Sequence, residues 1–335
     1  MRYLFIISDE ISPQKLKKLE DTIATLDEDK RNSIELRYVQ YQGHASDLAI
    51  EASEQAEGQI TVVICGGDNV IHEVVNGLAY RATPLAIIPM GSCNHFAHTV
   101  CPKHVLDHPE KAIFLLDQLK VIPIDLVRID SYDVLGNHLP VWSRYFVNVT
   151  TFGFESRAQT YANELMDKKS KKLSARDAYL LGSDKAFRKF QNYKMDYNLE
   201  LVTGDQNEVS EDEEFFSISL CNGKYYNGCY VAPAASIDDG FLDICVFEKQ
   251  GRINIKKLQM LSMMGKHVGK EGVRTYRATS GIITCKDNSF QLLGCCDGEI
   301  FYGHRIRFEV FPEALNFSFF PKEYKQPTPT KKTAK

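Results

Sequence analysis

The feature that most constrains the fold of this chain is an apolar strand that runs directly into two glycines and then into a helix. Residues 60–65 are almost continuously apolar, as expected for a parallel strand covered on both faces. Gly66, Gly67 and Asp68 turn the chain, and helical spacing follows. Glycine backbone at a helix N-terminus can offer N–H groups to a phosphate. The same pattern also fits a plain strand-to-helix turn in which Asp68 caps the helix.

A second strand repeats this arrangement. Residues 85–88 are apolar and are followed by a turn of small residues, Pro-Met-Gly-Ser, which leads into another helical stretch. Ligands of parallel sheets lie beyond the carboxyl ends of the strands. We therefore expect the two turns to face one crevice and to form a shared phosphate site from residues 66–73 and Ser92.

The alternation of strand and helix patterns defines the organisation of the chain. Residues 1–125 alternate strands and helices, which predicts an α/β domain whose parallel sheet carries helices on both faces. Strand-like runs dominate residues 126–321 and predict a β-rich, sandwich-like second domain, with helical stretches at about 158–190 and 254–266. The last apolar stretch, 315–320, could return to the first domain. Residues 322–335, rich in Pro, Thr and Lys, are predicted to be a disordered tail.

Charge and composition exclude several classes of protein. The chain has 335 residues, 44% of them hydrophobic, and a net charge of −4, which gives no global case for a nucleic-acid partner. No apolar run is long enough for a signal peptide or a membrane span. The 9 cysteines include no Cys-x-x-Cys pair and are expected to be reduced thiols. These observations predict a cytoplasmic protein.

An acidic turn near the C-terminus is the third candidate functional element. Residues 293–299 read Leu-Gly-Cys-Cys-Asp-Gly-Glu, and an Asp-Gly pair between strands is a hairpin signal. A catalytic interpretation requires Asp297 and Glu299 to fold back onto the crevice. Sequence alone does not decide between a plain hairpin turn and a catalytic turn.

Five motifs, taken in order, resemble those of one family. Gly66–Gly77 is similar to G-G-D-G-T-x-N-E-V-x-N-G, Pro89–Asn94 to P-x-G-T-x-N-D, Gly43–Ala45 to G-H-A, Asn222–Asp243 to N-G…P…D-D-G-x-L-D, and Asp297–Glu299 to the closing D-G-E. The chain thus resembles the diacylglycerol kinase catalytic-domain family, which includes diacylglycerol, sphingosine and bacterial lipid kinases. NAD kinases and phosphofructokinases share the G-G-D turn, but the last two motifs argue against them.

The resemblance implies a fold, a reaction and a set of site residues. The fold would be an α/β nucleotide-binding domain of the NAD kinase/diacylglycerol kinase type plus an all-β, sandwich-like domain, with the active site between them. The reaction would be transfer of phosphate from ATP, with Mg²⁺, to a lipid hydroxyl such as that of diacylglycerol. The implied ATP-binding residues are Gly66, Gly67, Asp68, Asn69, Glu73, Gly91, Ser92 and Asn94.

The same resemblance assigns catalytic and metal-binding roles. Asp297 would be the base toward the lipid hydroxyl with Glu299 supporting it, and Asp68 and Asp125 would position magnesium and phosphates. A structural metal would be held by the Asp239 carboxylate and by backbone oxygens of Ser236 and Phe241. Asp239 could equally only shape a turn.

Departures from the family motifs leave a second function open. Asn69, Val70 and His72 replace the glycine, threonine and asparagine of the first motif, and His95 replaces the acid of the second. The family's N-P-x-S-G loop is not recognisable in residues 8–13, which carry Asp9 and Glu10 instead. These changes would weaken ATP binding. The alternative is therefore a catalytically weak nucleotide or lipid sensor on the same fold.

Several further patterns bear on partners. Residues 168–194 hold nine Lys or Arg against two Asp, which indicates either a solvated helix face or docking on an anionic membrane that carries the lipid substrate. Met260, Met263 and Met264 lie in a second basic stretch and are interpreted as core residues. The cysteines and histidines of residues 93–108 match no closed zinc pattern. A homodimer is a further expectation.

Overall fold

The computed structural model describes residues 2–56, 59–135, 139–169, 173–189, 196–203 and 208–323. The first half contains β1 (Arg2–Ile7), α1 (Pro13–Ala24), α2 (Glu28–Asn32), β2 (Ile34–Tyr38), α3 (His44–Ala56), β3 (Ile60–Gly66), α4 (Asp68–Leu78), β4 (Leu85–Pro89), α5 (Ala97–Val100), α6 (Lys103–Asp107), a 3₁₀ helix (Pro109–Gln118) and β5 (Lys120–Tyr132). The second half contains β6 (Trp142–Phe146), β7 (Val149–Gly153), α7 (Phe154–Lys169), α8 (Ala175–Lys189), β8 (Asp196–Thr203), β9 (Glu208–Cys221), β10 (Tyr225–Tyr226), β11 (Cys229–Tyr230), β12 (Leu242–Glu248), α9 (Arg252–Ser262), β13 (Val273–Cys285), β14 (Leu292–Cys296), β15 (Glu299–Gly303) and β16 (Arg305–Phe319).

The amino-terminal strands form a parallel sheet in the order β4-β3-β1-β2. Alternate residues of β3 point to opposite faces: Val62 and Ile64 pack in the core under α3 and α4, whereas Val63 and Cys65 pack in the core under α1 and the 3₁₀ helix. All seven residues of β3 are buried. A strand buried on both faces needs apolar residues throughout, which is why the run 60–65 does not alternate.

The β-rich part continues this sheet rather than standing apart from it. In the described part of the chain, fourteen strands form one sheet. β5 runs unbroken through Asp125, where the predicted domain border lies, and pairs along its length with β16. At its far end β16 also pairs in parallel with β4, through Phe317 and Leu85. The two parts are therefore joined by two long strands and not by a flexible linker, while the division at residue 125 stays a prediction.

Several expectations are corrected in detail. The helical stretch predicted at 158–190 is two helices, α7 and α8, which pack so closely that a Cβ on Gly182 would lie 2.4 Å from the Ala158 carbonyl oxygen. The interpretation of Met260, Met263 and Met264 as core residues is wrong, because all three side chains are exposed. Most of the predicted disordered tail, 324–335, lies outside the described residues. Among the helices described here, none combines the length and apolar character needed to cross a bilayer.

Candidate active site

A wide cleft of about 1110 Å³ opens where the two halves of the sheet meet. Its walls come from the loops after β1 and β2, from α4, and from the β14–β15 turn, with Asn163 of α7 at one side. The charged side chains that line it are Asp9, Glu10, Asp47, His72, Glu73, Arg144, Asp297 and Glu299. Of the predicted site residues, Asn69, Glu73, Asp297 and Glu299 line this cleft, and the other predicted residues do not.

The two glycine turns pack against each other behind the cleft. A Cβ on Gly91 would lie 2.4 Å from the Cα atom of Gly67, so only glycine allows the backbones this close. Lys15 of α1 donates to the carbonyl oxygens of Met90 and Gly91, at 3.0 Å each. The expectation that the two turns are neighbours therefore has a structural basis, and Lys15 is a cation that the sequence analysis did not identify there.

Asp68 connects the two turns. Its carboxylate accepts the backbone N–H groups of His95 and Phe96, both at 2.9 Å, just before α5. The residue that precedes α4 and caps it is Gly67, without a side-chain hydrogen bond, so Asp68 does not cap its own helix. Both carboxylate oxygens are thus used in bracing the second turn. The proposed role of Asp68 in holding magnesium competes with these bonds.

Glu73 explains the Gly-His-Ala motif. Its carboxylate accepts the N–H groups of Gly43 at 2.9 Å and Ala45 at 3.3 Å, which are free because α3 begins here. Asn69, one turn earlier on α4, donates to Glu10 at 3.2 Å. Both side chains tie the loops around the cleft to α4, and each keeps further hydrogen-bonding positions, about two acceptor positions on Glu73 and one N–H and the carbonyl oxygen on Asn69.

Asp297 sits in a two-residue hairpin between β14 and β15. Both Asp297 and Gly298 have positive φ angles, 45° and 102°, as a tight hairpin of this kind requires. The buried Asp297 carboxylate accepts three backbone N–H groups, from Val147 at 2.9 Å, Asn148 at 3.3 Å and Val149 at 2.8 Å. An ionised carboxylate has about four acceptor positions, so about one stays open toward the cleft.

Glu299 and His72 form a hydrogen-bonded pair that lines the cleft beside Asp297. The Nε2 atom of His72 lies 3.1 Å from Glu299, and its Nδ1 atom lies 3.9 Å from Asp297. Burial lowers the pKa of His72, but hydrogen bonds and charge from Asp297 and Glu299 outweigh it and raise the pKa to about 9. Burial raises the pKa of Glu299, but hydrogen bonds from His72 and Trp142, together with the charges of His72 and Arg144, lower it to about 2. The raised pKa places a positive charge of His72 between the two carboxylates of the Asp-Gly-Glu turn: the ring hydrogen-bonds to Glu299, whereas its buried Nδ1 atom has no hydrogen-bond partner and lies near Asp297 without bonding to it.

Asp125 belongs to a different cluster. Its carboxylate accepts the N–H groups of Gly240 at 2.7 Å and Glu313 at 3.0 Å. Burial raises the pKa of Asp125 despite these bonds. The residue holds the turn after Asp239 against the bulge of β16, and it does not line the cleft. The structure thus does not bring Asp125 together with Asp297, and its proposed role toward magnesium has no support from this arrangement.

The predicted structural metal ligands do not fit a metal. The Asp239 carboxylate binds the guanidinium of Arg277 at 2.6 Å and the N–H of Phe241 at 3.1 Å, and the hydroxyl of Ser236 donates to Asp238. A cation of the protein itself thus already neutralises Asp239. Among the described residues, no group of three or more His, Cys, Asp or Glu side chains is arranged to hold a metal, which includes residues 93–108. We derive no step through a metal at Asp239.

The sequence analysis missed the residues that surround Glu299. Trp142 donates its indole N–H to Glu299 at 3.1 Å and stacks on Phe301, and Arg144 lies 3.4 Å from Glu299. Both come from β6, of which the sequence pattern indicated a strand only from residue 145 onward. His72 was counted only as a departure from the family motif. His72 directly precedes Glu73 in the first motif, and nothing in the sequence indicated that it would face Asp297.

Comparison with known proteins decides the family. Residues 2–129 match the model of the diacylglycerol kinase catalytic domain, and residues 148–319 match that of the YegS C-terminal NAD kinase beta sandwich-like domain. The chain belongs to the family that these two models define, in which a diacylglycerol kinase catalytic domain precedes a YegS-type C-terminal domain. The resemblance seen in the sequence motifs and the predicted fold class are thereby confirmed. This YegS-like chain combines an α/β part that carries the glycine turns with a sandwich-like part that carries the Asp-Gly-Glu hairpin.

Curated relatives agree with this assignment, and a solved structure agrees with the fold. A "Probable lipid kinase YegS-like" of Pseudomonas aeruginosa is 27% identical over 265 residues, 78% of this chain and 76% of the relative. Another of the same name, from Serratia proteamaculans, is 25% identical over 86% of this chain and 85% of the relative. A crystal structure of a "putative diacylglycerol kinase" from Bacillus anthracis matches with a TM-score of 0.69 and 21% identity, and it covers 96% of this chain and 97% of the other. The last comparison supports the fold only.

Proposed function

We propose that this YegS-like protein transfers phosphate from ATP to the hydroxyl of a lipid such as diacylglycerol. The observation that carries the proposal is that one cleft joins α4, which follows the first glycine turn, to the Asp297-Gly298-Glu299 hairpin from the other end of the chain. Phosphoryl transfer depends on positioning and on electrostatic stabilisation. A cleft between two rigidly connected parts of one sheet supplies such positioning.

The cleft residues fit an ATP complex that carries Mg²⁺. Six acids and two cationic side chains line it, so bare triphosphate would be repelled. Mg²⁺ in nucleotide complexes is bound by one or two carboxylates together with the phosphates, and the cleft offers Asp9 and Glu10 from the loop after β1 and Asp47 from the start of α3. When bound, Mg²⁺ would supply neutralisation of phosphate charge. The Gly66–Gly67 and Gly91–Ser92 turns, with Lys15 beside them, would support the phosphates from behind.

Asp297 is the best-placed base for the acceptor hydroxyl. Three backbone N–H groups fix its carboxylate, and its remaining acceptor position can take the hydroxyl proton. The His72 imidazolium holds Glu299 at 3.1 Å and keeps a positive charge between the two carboxylates. Without that charge, two neighbouring carboxylates would repel each other and the incoming phosphates. His72 thus acts as a positioning residue.

A sensor on the same fold is the second candidate. The observation in its favour is that Asn69, at a family glycine position, donates to Glu10 across the mouth of the cleft. Its side-chain oxygen would also lie 3.0 Å from a Cβ at Gly298, so the Asn69 side chain occupies space next to the catalytic hairpin. A sensor would bind nucleotide or lipid but would not transfer phosphate.

The setting of the reaction is also proposed. Residues 1–125 would bind the nucleotide and residues 126–321 the lipid, with β5 and β16 shared between them. We infer a cytoplasmic protein that meets its substrate at the inner face of the membrane. Its nine cysteines, all in described parts of the chain, are free thiols, which suits a reducing compartment. A homodimer stays a prediction.

Replacing Gly67 by valine should lower the affinity for a non-hydrolysable ATP analogue by at least about tenfold. The first methyl-bearing carbon would lie 3.3 Å from the Cα atom of Gly91, and the branches would force the two turns apart. A tenfold weaker affinity corresponds to a loss of about 1.4 kcal/mol of binding free energy, which is about the contribution of one well-placed hydrogen bond. Titration calorimetry measures the affinity, and circular dichroism confirms that the variant is folded.

Gly251→Val is the matched control, because a Cβ there meets no heavy atom within 4 Å. It should bind the analogue as the wild type does. If folded Gly67→Val binds with unchanged affinity, the nucleotide does not rest on these turns.

A further inference from the structure

The helix α9 and the loop after it expose an unusual amount of apolar surface. The side chains of Ile253, Met260, Met263 and Met264 are 84%, 67%, 59% and 58% exposed. Val268, in the loop, is 46% exposed. Exposed apolar residues that cluster, rather than occur singly, mark interaction sites. We name the exposed side of residues 252–270 the α9 surface.

One side of α9 is buried, and the other faces solvent. Ile255, Leu258 and Ser262 are buried and face the core under the β-rich sheet. Ile253, Lys257, Met260 and Met264 follow one another at spacings of four, three and four residues, and Lys256 lies three residues after Ile253. They therefore form one stripe on the opposite, solvent-facing side of the helix. The stripe contains both apolar and basic residues.

The α9 surface carries only positive charge. Residues 249–270 contain no Asp or Glu, and their basic residues are Lys249, Arg252, Lys256, Lys257, Lys266 and Lys270. Lys249 is paired with Glu214, Arg252 donates to the Arg188 carbonyl, and Lys256 lies 4.9 Å from the Phe187 ring. For Lys257, Lys266 and Lys270, the described residues provide no carboxylate partner. Three cations thus stand beside the exposed methionines.

Within the part of segment 168–194 whose side chains are described, most cations are engaged inside the protein. Lys185 pairs with Glu164, and Arg188 pairs with Asp184. Lys189 lies 5.6 Å from the Tyr161 ring, so this cation is also engaged within the α7–α8 pair. The side chains of five further lysines or arginines predicted to contribute, Lys168, Lys169, Lys171, Lys172 and Lys194, lie outside the described residues. Arg176 is the exception and is exposed, so the described part of this segment adds one cation, whereas the α9 surface has three lysines without a carboxylate partner. The docking of segment 168–194 stays a prediction.

We propose that the α9 surface docks this protein on an anionic lipid bilayer. Methionine and isoleucine side chains insert into the boundary between headgroups and acyl chains, while the lysine ammonium groups meet lipid phosphates. Each lysine near an anionic membrane contributes roughly a fivefold gain in binding. A second copy of the chain fits less well, because a two-fold dimer would set the lysines of one surface against those of the other.

The α9 surface is connected to the cleft through packed helices. Arg252 joins the start of α9 to the end of α8, and α8 packs on α7 at Gly182. Asn163 of α7 lines the cleft. A bilayer held at α9 would thus contact the same helical layer that flanks the cleft. The inference rests on the proposed lipid kinase function, for which it names the membrane-contacting surface.

Vesicle binding without nucleotide tests the docking separately from catalysis. Full-length protein is co-sedimented with vesicles of phosphatidylcholine alone or with roughly one-third phosphatidylglycerol. The variants are Lys257→Glu/Lys266→Glu and Met260→Ser/Met264→Ser, and the matched control is Lys17→Glu/Lys18→Glu on exposed positions of α1. Each protein is also assayed for phosphorylation of a short-chain, monomeric diacylglycerol.

The wild type and the α1 control should bind the anionic vesicles, and binding should fall with salt. The lysine variant should bind at least about tenfold more weakly, and the methionine variant about fivefold. Equal binding to neutral and anionic vesicles, or full binding by both α9 variants, would refute the proposal. So would a dimer that Met260→Ser/Met264→Ser turns into a monomer in sedimentation velocity. Vesicle binding without phosphorylation of the monomeric diacylglycerol would overturn the proposed transfer to diacylglycerol and leave the docking surface in place. Phosphorylation of the monomeric acceptor without vesicle binding would support the kinase function and refute the docking surface.

Discussion

Asp297→Asn should reduce kcat for lipid phosphorylation by about 10³-fold, the middle of the range for loss of a general base. Asparagine cannot take the hydroxyl proton. The affinity for an ATP analogue should change by less than about threefold, because the carboxylate acts on the acceptor and not on the nucleotide. Steady-state kinetics with saturating ATP and calorimetry with the analogue measure the two quantities.

The variant also has a structural cost that must be separated from its catalytic effect. The carboxylate accepts N–H groups on both oxygens, so the new amide sets its NH₂ group against at least one backbone N–H. We expect this to lower the free energy of unfolding by about 2 kcal/mol. Asp107→Asn, on an exposed position of α6, is the matched control and should leave kcat and stability unchanged. Turnover near the wild-type rate by folded Asp297→Asn would mean that another group is the base.

His72→Gln should remove a pH-dependent part of both stability and activity. The pKa of His72 is raised to about 9 in the folded protein, above its ordinary value of 6.5. Its protonated form therefore stabilises the fold fully below about pH 6.5, and this contribution is lost as the pH rises through about 9. Glu299, whose pKa is lowered to about 2, contributes above about pH 4.5 and loses its contribution as the pH falls toward 2.

Thermal unfolding from pH 5 to pH 10 measures the first effect. The difference between wild type and His72→Gln should be largest near pH 6 and disappear above about pH 9, and the wild-type kcat should fall over the same upper range. The charges that face His72 are those of Asp297, Glu299 and, beside Glu299, Arg144. His108→Gln, an exposed histidine, should show no such pH dependence. A stability difference that is constant across this pH range would show that His72 does not carry the positive charge between Asp297 and Glu299.

The sequence predicted the parallel sheet because its strands have a local signature. Strand β3 is apolar at nearly every position, and it is flanked by glycines and a helix, so neither its type nor its partners required distant information. The continuous sheet was not predictable in the same way. Its closure depends on β16, which pairs with β5 from 173 to 199 residues farther along the chain and with β4 from 232 residues farther along.

The candidate site shows the same limit. The Asp297-Gly298 hairpin could be recognised from two residues, but its approach to α4 depends on β6 and β7, which supply the N–H groups and Trp142 around it. Asp68 and Asp125 were assigned by motif to phosphate chemistry, yet each carboxylate accepts backbone amides in a turn. A motif identifies candidate functional residues, but only the three-dimensional packing shows whether a carboxylate oxygen is available to a ligand or already accepts a hydrogen bond from the protein.

Transfer of radiolabel from ATP to lipid is the most direct test of the central claim. Purified protein is incubated with γ-labelled ATP, Mg²⁺ and a panel of diacylglycerols and sphingoid bases, and the extracted lipids are separated. We predict labelled phospholipid from at least one acceptor, with the label absent when Asp297 is replaced by Asn. No labelled lipid from any acceptor at saturating ATP, from protein that still binds the ATP analogue, would contradict the kinase function and favour the sensor.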